Sequence, residues 1–241
     1  MKFALLGYGK MGKMVEQLLI ADQQEIVAII DNEEDWRNKI SDFRKADVAI
    51  DFSMPSVAVS NMLKAFENNV PVVVGTTGWL EQLGYVTESC QKLGGSLVYG
   101  SNFSIGANLF MQLNKTLSTL MNEQEQYAAT MEETHHVTKK DAPSGTAIRL
   151  AKDILECVNR LDHWELAEEP INDKMALPIK ANRIGTVPGI HKIVWHSDDD
   201  DIEITHTAHS RQGFARGAIR AALWLHDHPG VYEFQKISLL V

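Results

Sequence analysis

Residues 2–12 read KFALLGYGKMG, an apolar run that ends in the spacing G-x-G-x-x-G and passes straight into a helical pattern. The run predicts a strand because it is short, apolar and closed by glycine. Apolar residues then recur at helical spacing over residues 10–22, and EIVAIID at residues 25–31 forms a second apolar run. Strand, glycine turn, helix and strand in this order predict a parallel βαβ unit of a Rossmann-like α/β domain.

The glycine turn predicts a dinucleotide-binding site. Gly7 would permit a tight turn, Gly9 would let the backbone approach a pyrophosphate, and Gly12 would let the helix pack closely on the strand. Asp31 ends the second strand about 20 residues further on, where a ribose-binding acid is expected. A plain glycine turn is the alternative, and Asp31 at that place favours a nicotinamide dinucleotide. The residues predicted to contact it in the turn are Gly7, Tyr8, Gly9, Lys10, Met11 and Gly12.

The charges around Asp31 leave the form of the cofactor open. The Asp31 carboxylate would accept hydrogen bonds from both ribose hydroxyls and repel a 2'-phosphate, which favours NADH. Lys10 and Lys13 lie beside the turn, and Arg37 follows Asp31 by a few residues, so each could reach a 2'-phosphate. The predicted cofactor is therefore NADH, NADPH or both.

The alternation of strands and helices continues through the first hundred residues. It predicts a parallel sheet of at least five strands, with further strands at 46–51, 70–74 and 96–99 and helices over 56–69 and near 80–93. Ligands of such sheets bind outside the carboxyl ends of the strands, so two more strand ends are predicted to contact the dinucleotide. The GTTGW segment could equally be a Thr-capped helix start. The predicted contacts are Gly75, Thr76 and Thr77 in one segment and Gly100, Ser101, Asn102 and Phe103 in the other.

After the glycine-bearing segment YGSNFSIG, the pattern of the sequence changes. One long helix is predicted over 107–121, followed by a polar strand at 127–136, a helix after Pro143 and a final helix over 214–225. Strand patterns at 179–187, 190–196 and 201–208 predict an antiparallel or mixed sheet. The predicted organisation is a dinucleotide-binding domain of residues 1–103 and 212–241, and an α+β domain of residues 104–211 for substrate binding and oligomerisation.

Composition and charge exclude several classes of protein. The chain is 44% hydrophobic and 23% charged, and no apolar run approaches the roughly 18 to 20 residues of a membrane span. The apolar N-terminal stretch is too short for a signal peptide, which predicts a cytoplasmic protein. The net charge of −9 argues against a nucleic-acid partner. Cys90 and Cys157 lack metal or redox spacing and imply no disulfide framework.

Residues 133–147, ETHHVTKKDAPSGTA, concentrate titratable side chains beside a small-residue turn. DAPSGTA predicts a helix start with Ser144 as N-cap, which leaves the amides of Gly145 and Thr146 free to bind an anion. His135, at a strand end, and Lys139, close behind it, are potential proton donors near those amides. The alternative is a solvated loop followed by an ordinary helix cap, with no role in function.

A metal site in this stretch is the second alternative. Glu132, Glu133, His135 and His136 alternate between the two faces of a strand, so the four side chains do not converge on one ion. The sequence therefore predicts no metal.

HHVTKKDAPSGTA is similar to the signature of the 4-hydroxy-tetrahydrodipicolinate reductases, also called dihydrodipicolinate reductases, of lysine biosynthesis. The resemblance covers nearly the whole chain, because GYGKMG, DFS, GTTG, SNFSIGAN, IEITH and SRQGFARGA occur in the family's order. The long string is far more specific than a glycine motif. A different dehydrogenase of this layout, such as a diaminopimelate or aspartate dehydrogenase, would share the glycine turn but not this string. An NAD-sensing protein would need the glycine turn alone.

The resemblance implies an activity, a cofactor and a set of site residues. It implies reduction of 4-hydroxy-tetrahydrodipicolinate, a cyclic dicarboxylate, to tetrahydrodipicolinate with loss of water, by NADH or NADPH. Asn32 stands where some members carry an Arg that could hold a 2'-phosphate, which leaves the cofactor preference open. The resemblance also implies a homotetramer assembled through the second-domain sheet. Its implied site residues are His135 as proton donor or acceptor, Lys139 as proton donor, and His136, Gly145 and Thr146 as substrate contacts.

Overall fold

The computed structural model describes residues 1–167 and 173–241. The chain divides into two compact units: unit 1 comprises residues 1–105 and 212–241, and unit 2 comprises residues 106–211. In the described ranges, no helix is both long and apolar enough to cross a membrane.

The strands and helices are numbered in chain order. The strands are β1 (Lys2–Leu6), β2 (Glu25–Ile30), β3 (Val48–Asp51), β4 (Val72–Val74), β5 (Leu97–Tyr99), β6 (Ala128–His135), β7 (His163–Leu166), β8 (Ala176–Arg183), β9 (Gly189–His196), β10 (Asp201–Ala208) and β11 (Val231–Glu233). The helices are α1 (Lys10–Ala21), α2 (Glu33–Phe43), α3 (Pro55–Glu67), α4 (Leu83–Lys92), α5 (Ile105–Met121), α6 (Gly145–Cys157), α7 (Gln212–Asp227) and α8 (Phe234–Ile237). A short 3₁₀ helix, Leu80–Gln82, precedes α4, where one continuous helix was predicted.

Unit 1 is built on a six-stranded parallel sheet in the order β11-β5-β4-β3-β1-β2. The predicted parallel sheet is confirmed. Its strand order reverses at β1, which has β2 on one side and β3 on the other. A reversal of this kind marks the crevice in which open α/β sheets bind their ligands.

Apolar residues cover both faces of this sheet, which explains the continuous apolar runs in the sequence. Ala4 and Leu6 of β1 belong to the core on one face, and Phe3 and Leu5 belong to the core on the other. Successive side chains of a strand point to opposite faces, so a strand buried on both sides reads as unbroken apolar sequence.

Three elements of unit 1, α2, β11 and the short helix α8, were missing from the prediction. Helix α2 has the sequence EEDWRNKISDF, which is mostly charged and buries only Trp36 and Phe43, so its apolar face is too narrow to read. Strand β11 has three half-buried residues and pairs in parallel with β5. Its sequence, VYE, ends in a charged residue and forms no apolar run, whereas the equally short β4 and β5 lie in apolar runs.

Unit 2 contains a five-stranded mixed sheet in the order β10-β9-β6-β8-β7. The pairs β10/β9 and β9/β6 are antiparallel, whereas β6/β8 and β8/β7 are parallel, so the predicted mixed sheet is confirmed. Strand β7 was not predicted. Strand β8 ends at Arg183, earlier than predicted, because Gly185, with φ +47°, belongs to the following turn.

One face of the unit 2 sheet is buried and the other is exposed. In β6, Ala129, Met131, Glu133 and His135 alternate with exposed or half-buried residues. The buried face packs against apolar side chains of α5 and α6. Glu133 and His135 are therefore polar side chains on the core side of the sheet, where an unpaired charge is costly.

Candidate active site

The glycine turn between β1 and α1 is shaped by close backbone contacts. Gly7 has φ +85°, and a Cβ built there would lie 2.6 Å from the Cα atom of Ser53. A Cβ on Gly12 would lie 2.2 Å from the carbonyl oxygen of Gly7. Gly9 is different, because a Cβ there would have no atom within 4 Å among the described residues. The fold itself thus requires Gly7 and Gly12, whereas Gly9 leaves open space beside the turn.

The N-terminus of α1 is suited to an anion. Gly9 is its N-cap and has no side chain to bind the first amides, and the first turn contains no acidic residue. Lys10 and Lys13 add positive charge there. Helix α2 shows the opposite arrangement, because its N-cap Asn32 accepts hydrogen bonds from two backbone amides and its first turn is acidic. The open space at Gly9 and the uncapped α1 N-terminus together fit the pyrophosphate of a dinucleotide.

Asp31 anchors the glycine turn. Its Oδ1 atom accepts a hydrogen bond from the Tyr8 backbone N–H at 2.7 Å, while the side chain remains exposed. Asn32 stands at the position where some family members carry an Arg, and in this structure it is the N-cap of α2. Asp31 therefore already has a structural role before any contact with a ribose is considered.

Asp51, in the DFS segment at the end of β3, is a residue to which the sequence analysis assigned no role. Its fully buried carboxylate accepts hydrogen bonds from Ser53 N–H (2.8 Å), the Thr76 hydroxyl (2.8 Å) and Asn61 Nδ2 (3.0 Å). Burial raises the pKa of Asp51, and the three donors act against that effect. This carboxylate joins the loops that follow β3 and β4, both at the edge of the sheet that binds ligands.

The predicted contacts at the ends of β4 and β5 differ in how their side chains are used. Thr76 is buried and bonded to Asp51, so it does not cap a helix. A Cβ on Gly75 would lie 2.1 Å from the Phe52 ring. Phe103 is buried, with its ring centroid 4.4 Å from that of Phe234. Exposed side chains among these contacts are those of Thr77 and Ser101.

In unit 2, the loop after β6 is held in place by Arg183. Its guanidinium donates to the carbonyl oxygens of Lys139 (3.3 Å), Asn182 (2.7 Å) and Asp141. The Lys139 ammonium lies 2.8 Å from both carboxylate oxygens of Asp141 and is partly exposed. This contact with Lys139 lowers the pKa of Asp141. Lys139 is therefore a positioned cation at the surface of unit 2.

The predicted helix start at Ser144 is confirmed. The Ser144 hydroxyl accepts a hydrogen bond from Ala147 N–H at 3.1 Å, and the first turn of α6 contains no acid. The N–H groups of Gly145 and Thr146 make no hydrogen bond within the described part of the chain. Two free amides at a helix N-terminus favour a bound anion such as a carboxylate.

Behind this helix start lies a cluster formed by the buried residues Glu133, His135, His191 and Ser144 and by the half-buried Arg183. The Glu133 oxygens each lie 3.1 Å from Ser144 N–H, and Oε1 also accepts from Arg183 at 3.1 Å. Glu133 Oε2 lies 3.4 Å from His135 Nδ1 and 3.8 Å from His191 Nε2. His191 Nε2 is 3.3 Å from the Ser144 hydroxyl.

Three members of this cluster, Glu133, His191 and Arg183, had no assigned role in the sequence analysis. Glu133 and His191 are direct cross-strand partners of β6 and β9, and His135 pairs with Arg183 of β8. The signal that could have found Glu133 is its spacing of two from His135, because such residues share a face of a strand. His191 and Arg183 join the cluster through the register of β9 and β8 against β6, which the sequence does not show.

Burial makes both imidazoles of the cluster weak bases. It lowers the pKa of His191 to about 4, and the neighbouring His135 acts in the same direction. Burial also lowers the pKa of His135, while the Glu133 carboxylate opposes this shift. At neutral pH both rings are therefore uncharged in the unliganded protein.

The same cluster bears on the predicted absence of metal. Ligand atoms of Glu133, His135 and His191 lie within 4.8 Å of one another, so the alternation of β6 does not by itself keep these side chains apart. The Glu133 oxygens are, however, already bonded to Ser144 N–H and to the Arg183 cation. A second, more exposed group consists of His163, Glu165 and Asp173. The absence of a metal stays a prediction.

A glycine turn at the reversal point of a parallel sheet, in one chain with a buried acid–base cluster beside free helix amides, defines an α/β nucleotide-dependent oxidoreductase. The chain belongs to the dihydrodipicolinate reductase family. The model of the family's N-terminus matches residues 1–103, and the model of its C-terminus matches residues 106–237. The predicted family and the predicted class of enzyme are confirmed.

Curated relatives agree with this assignment, and solved structures share the fold. The chain is 44% identical over 237 residues to a 4-hydroxy-tetrahydrodipicolinate reductase of Christiangramia forsetii, covering 98% of this chain and 97% of that protein. It is 34% identical over 232 residues to the protein of the same name from Rickettsia rickettsii, covering 95% of each. A dipicolinate-bound dihydrodipicolinate reductase from Paenisporosarcina sp. TG-14 shares the fold, with a TM-score of 0.79, 23% identity and 98% of each chain covered. A DAP dehydrogenase of C. glutamicum gives a TM-score of 0.50 at 13% identity.

Proposed function

We propose that this protein reduces 4-hydroxy-tetrahydrodipicolinate to tetrahydrodipicolinate, with loss of water, using NADH or NADPH. The observation that carries the proposal is the pairing, in unit 2, of an anion site at the start of α6 with a positioned Lys139 and a buried His135. A cyclic dicarboxylate needs such a site for a carboxylate and nearby groups for a proton. Membership of the family supports the same reaction.

The free amides of Gly145 and Thr146 would bind one substrate carboxylate, with His136 as a further contact. Loss of the 4-hydroxyl group as water would leave a conjugated imine in the substrate ring. When bound, the dinucleotide would supply a hydride to that ring, and an electron pair would move towards the ring nitrogen. A proton must then complete the reduction. Lys139 is the proposed proton donor, and its ammonium also offsets the substrate's negative charge. His135 is proposed to accept or return a proton beside it.

Unit 1 is proposed to hold the dinucleotide. The α1 N-terminus and the open space at Gly9 would accept the pyrophosphate. Asp31, held by Tyr8 N–H, would face the adenosine ribose and favour NADH, while Lys10 and Lys13 would still permit NADPH. The segments at 75–77 and 100–103 would contact the nicotinamide end, through the backbone where Thr76 and Phe103 are buried.

We also propose a homotetramer assembled through the exposed face of the unit 2 sheet. Thr130 and Val194 are cross-strand partners on that face, as are Glu132 and Lys192. A cavity of about 700 Å³ lies there, lined by these four side chains and by Pro178, and it is separate from the buried histidines. Sedimentation at four times the mass of the chain is the expected result.

The test of the activity is an assay in which dihydrodipicolinate synthase makes the unstable substrate in situ. Oxidation of NADH or NADPH at 340 nm that requires both the synthase and this protein is the expected result. Oxidation with diaminopimelate- or aspartate-derived substrates instead would assign the chain to another dehydrogenase. Cofactor binding with no turnover on any of these substrates would indicate an NAD-binding protein without this activity.

A further inference from the structure

Glu133 is fully buried, and its carboxylate is held from several sides. Both oxygens accept the Ser144 N–H, and Oε1 also accepts from Arg183. These bonds fix the plane of the carboxylate and leave Oε2 directed towards the two imidazoles of the cluster. A buried carboxylate fixed in this way is a strong and oriented acceptor.

The Nδ1 atom of His135 is buried and makes no hydrogen bond in the described part of the chain. It lies 3.4 Å from Glu133 Oε2, at the outer limit of a hydrogen bond and not aligned as one in this structure. A lone pair on Nδ1 would face a negative oxygen at that distance, whereas an N–H would be attracted to it. The neutral ring is therefore expected to carry its proton on Nδ1.

The opposite nitrogen of His135 is next to a glycine. A Cβ built on Gly189 would lie 3.1 Å from Nε2, closer than nine in ten real contacts of a Cβ, so a larger residue would press on the ring at that atom. With the proton on Nδ1, Nε2 carries a lone pair and is the atom of the ring that can accept a proton. This is the arrangement by which a carboxylate behind a catalytic histidine sets its tautomer.

We propose that Glu133 is a positioning residue, which holds His135 in the Nδ1–H tautomer, leaves Nε2 to exchange the reaction's proton and stabilises the imidazolium that results. The proposal rests on the proposed function for the role of His135. Because the same carboxylate binds Ser144 N–H, Glu133 also ties the orientation of His135 to the N-terminus of α6, where the substrate carboxylate would bind.

Several charged or titratable groups face His135 from the neighbouring elements. Lys139 and His136 from the loop after β6 and Arg183 from β8 all disfavour its protonated form, and Glu133 favours it. His191 of β9 is in ring contact with it, with centroids 5.1 Å apart. Without the Glu133 charge, only burial and the neighbouring cations would act on His135, and both lower its pKa. His135 should therefore become harder to protonate.

The first experiment uses the wild-type protein. Histidine labelled with ¹⁵N is incorporated, and long-range ¹H–¹⁵N spectra are recorded across a pH range, with His135 assigned from a His135→Gln variant. The expected result is an Nδ1–H tautomer for neutral His135. An Nε2–H tautomer would overturn the proposal, whether or not the protein reduces the proposed substrate.

The second experiment compares Glu133→Gln with Glu156→Gln, which removes the same charge at an exposed position of α6. Glutamine keeps an oxygen for Ser144 N–H but loses the negative charge. In Glu133→Gln the pKa of His135 should fall, the limb of the kcat/KM pH profile that reports His135 should move to lower pH, and kcat should fall about 10-fold or more with little change in KM. Glu156→Gln should match the wild type.

A folded Glu133→Gln protein with an unchanged titration of His135 would contradict the proposal. A loss of activity with no movement of the pH profile would reduce Glu133 to a structural role. If the variant does not fold, the tautomer measured in the wild type still decides the question. Absence of reductase activity in the wild type would refute the proposed function and leave the tautomer result standing.

Discussion

His191 is a buried base whose protonation opposes folding. Its pKa is about 4 in the folded protein, against about 6.5 for an unperturbed histidine. Between these values the unfolded chain binds a proton that the folded chain does not, so the free energy of unfolding falls as pH falls through this window. At about 1.4 kcal/mol per pKa unit, the contribution of this residue is about 3 kcal/mol.

We therefore predict that His191→Gln flattens the pH dependence of stability. Glutamine can place its amide N–H near the position of Nε2, beside the Ser144 hydroxyl, but it does not take up a proton. Urea unfolding at several pH values from 7.5 to 4 is the measurement, since the variant should lose less stability than the wild type on acidification. His226→Gln, at an exposed position of α7, is the control. Parallel curves for wild type and His191→Gln would show that His191 is not the group responsible.

The contact between Asp31 and Tyr8 N–H changes how cofactor preference should be tested. Alanine at position 31 would remove the anchor of the glycine turn along with the charge. Asp31→Asn keeps an acceptor oxygen and removes the repulsion of a 2'-phosphate. We predict that it shifts the ratio of kcat/KM for NADPH to that for NADH towards NADPH. An unchanged ratio would mean that this carboxylate does not face the ribose.

The start of helix α1 contains two glycines, Gly9 and Gly12, that differ in the space around their Cα atoms. Gly12→Ala places a Cβ 2.2 Å from the Gly7 carbonyl oxygen, so the helix must move away from the strand. A forced fit of this kind typically costs about 1–3 kcal/mol. Gly9→Ala meets no atom within 4 Å in the described structure, and its φ of −76° suits alanine.

The prediction for this pair is a separation of stability from binding. Gly12→Ala should lower the midpoint of thermal unfolding, whereas Gly9→Ala should leave it unchanged or slightly higher. Gly9→Ala should nevertheless weaken NADH binding, measured by fluorescence titration, because its methyl group projects into the space proposed for the pyrophosphate. Wild-type NADH affinity in Gly9→Ala would remove that space from the binding site.

Some of the strands and helices could be predicted from the sequence, and others could not. Strands of unit 1 are covered on both faces and read as apolar runs, and the β1–α1 turn follows from its glycines. Helix α2 does not follow from an apolar stripe, because charged residues dominate it and only Trp36 and Phe43 are buried. Its one sequence signal is the N-cap Asn32 before an acidic first turn. Strands β7 and β11 have the sequences HWEL and VYE, in which polar or charged residues interrupt any apolar run.

Some residues of the proposed active site could likewise be predicted from the sequence, and others could not. His135, Lys139, Gly145 and Thr146 lie within one short stretch and could be proposed from residue order alone. The partners of His135 come from β8 and β9, and only the register of the sheet places them together. The alternation of apolar and polar residues fixes which face of a strand is buried, but a shift of two residues preserves that face, so the pattern of a single sequence leaves the cross-strand partners open.

In the whole molecule, the two proposed ligands belong to different units of the chain. The proposed dinucleotide contacts all belong to unit 1, and the proposed acid–base and substrate contacts all belong to unit 2. Substitutions in unit 2 should therefore affect turnover without affecting cofactor binding. The overall charge of −9 is compatible with an anionic substrate, because screening limits charge effects to about 8 Å. The cations Lys139 and Arg183 both belong to unit 2, which is proposed to bind that substrate.

The proposed role of Lys139 as proton donor is tested most directly by measuring both the kinetics and the NADH affinity of Lys139→Met. Methionine keeps the aliphatic length and removes the ammonium, and loss of a general acid typically lowers rates about 10²- to 10⁴-fold. The exposed neighbour Lys140→Met is the matched control. We predict that kcat collapses in Lys139→Met alone, in the assay that generates substrate in situ, and that NADH binding stays close to wild type. Near-wild-type turnover in Lys139→Met would contradict this prediction.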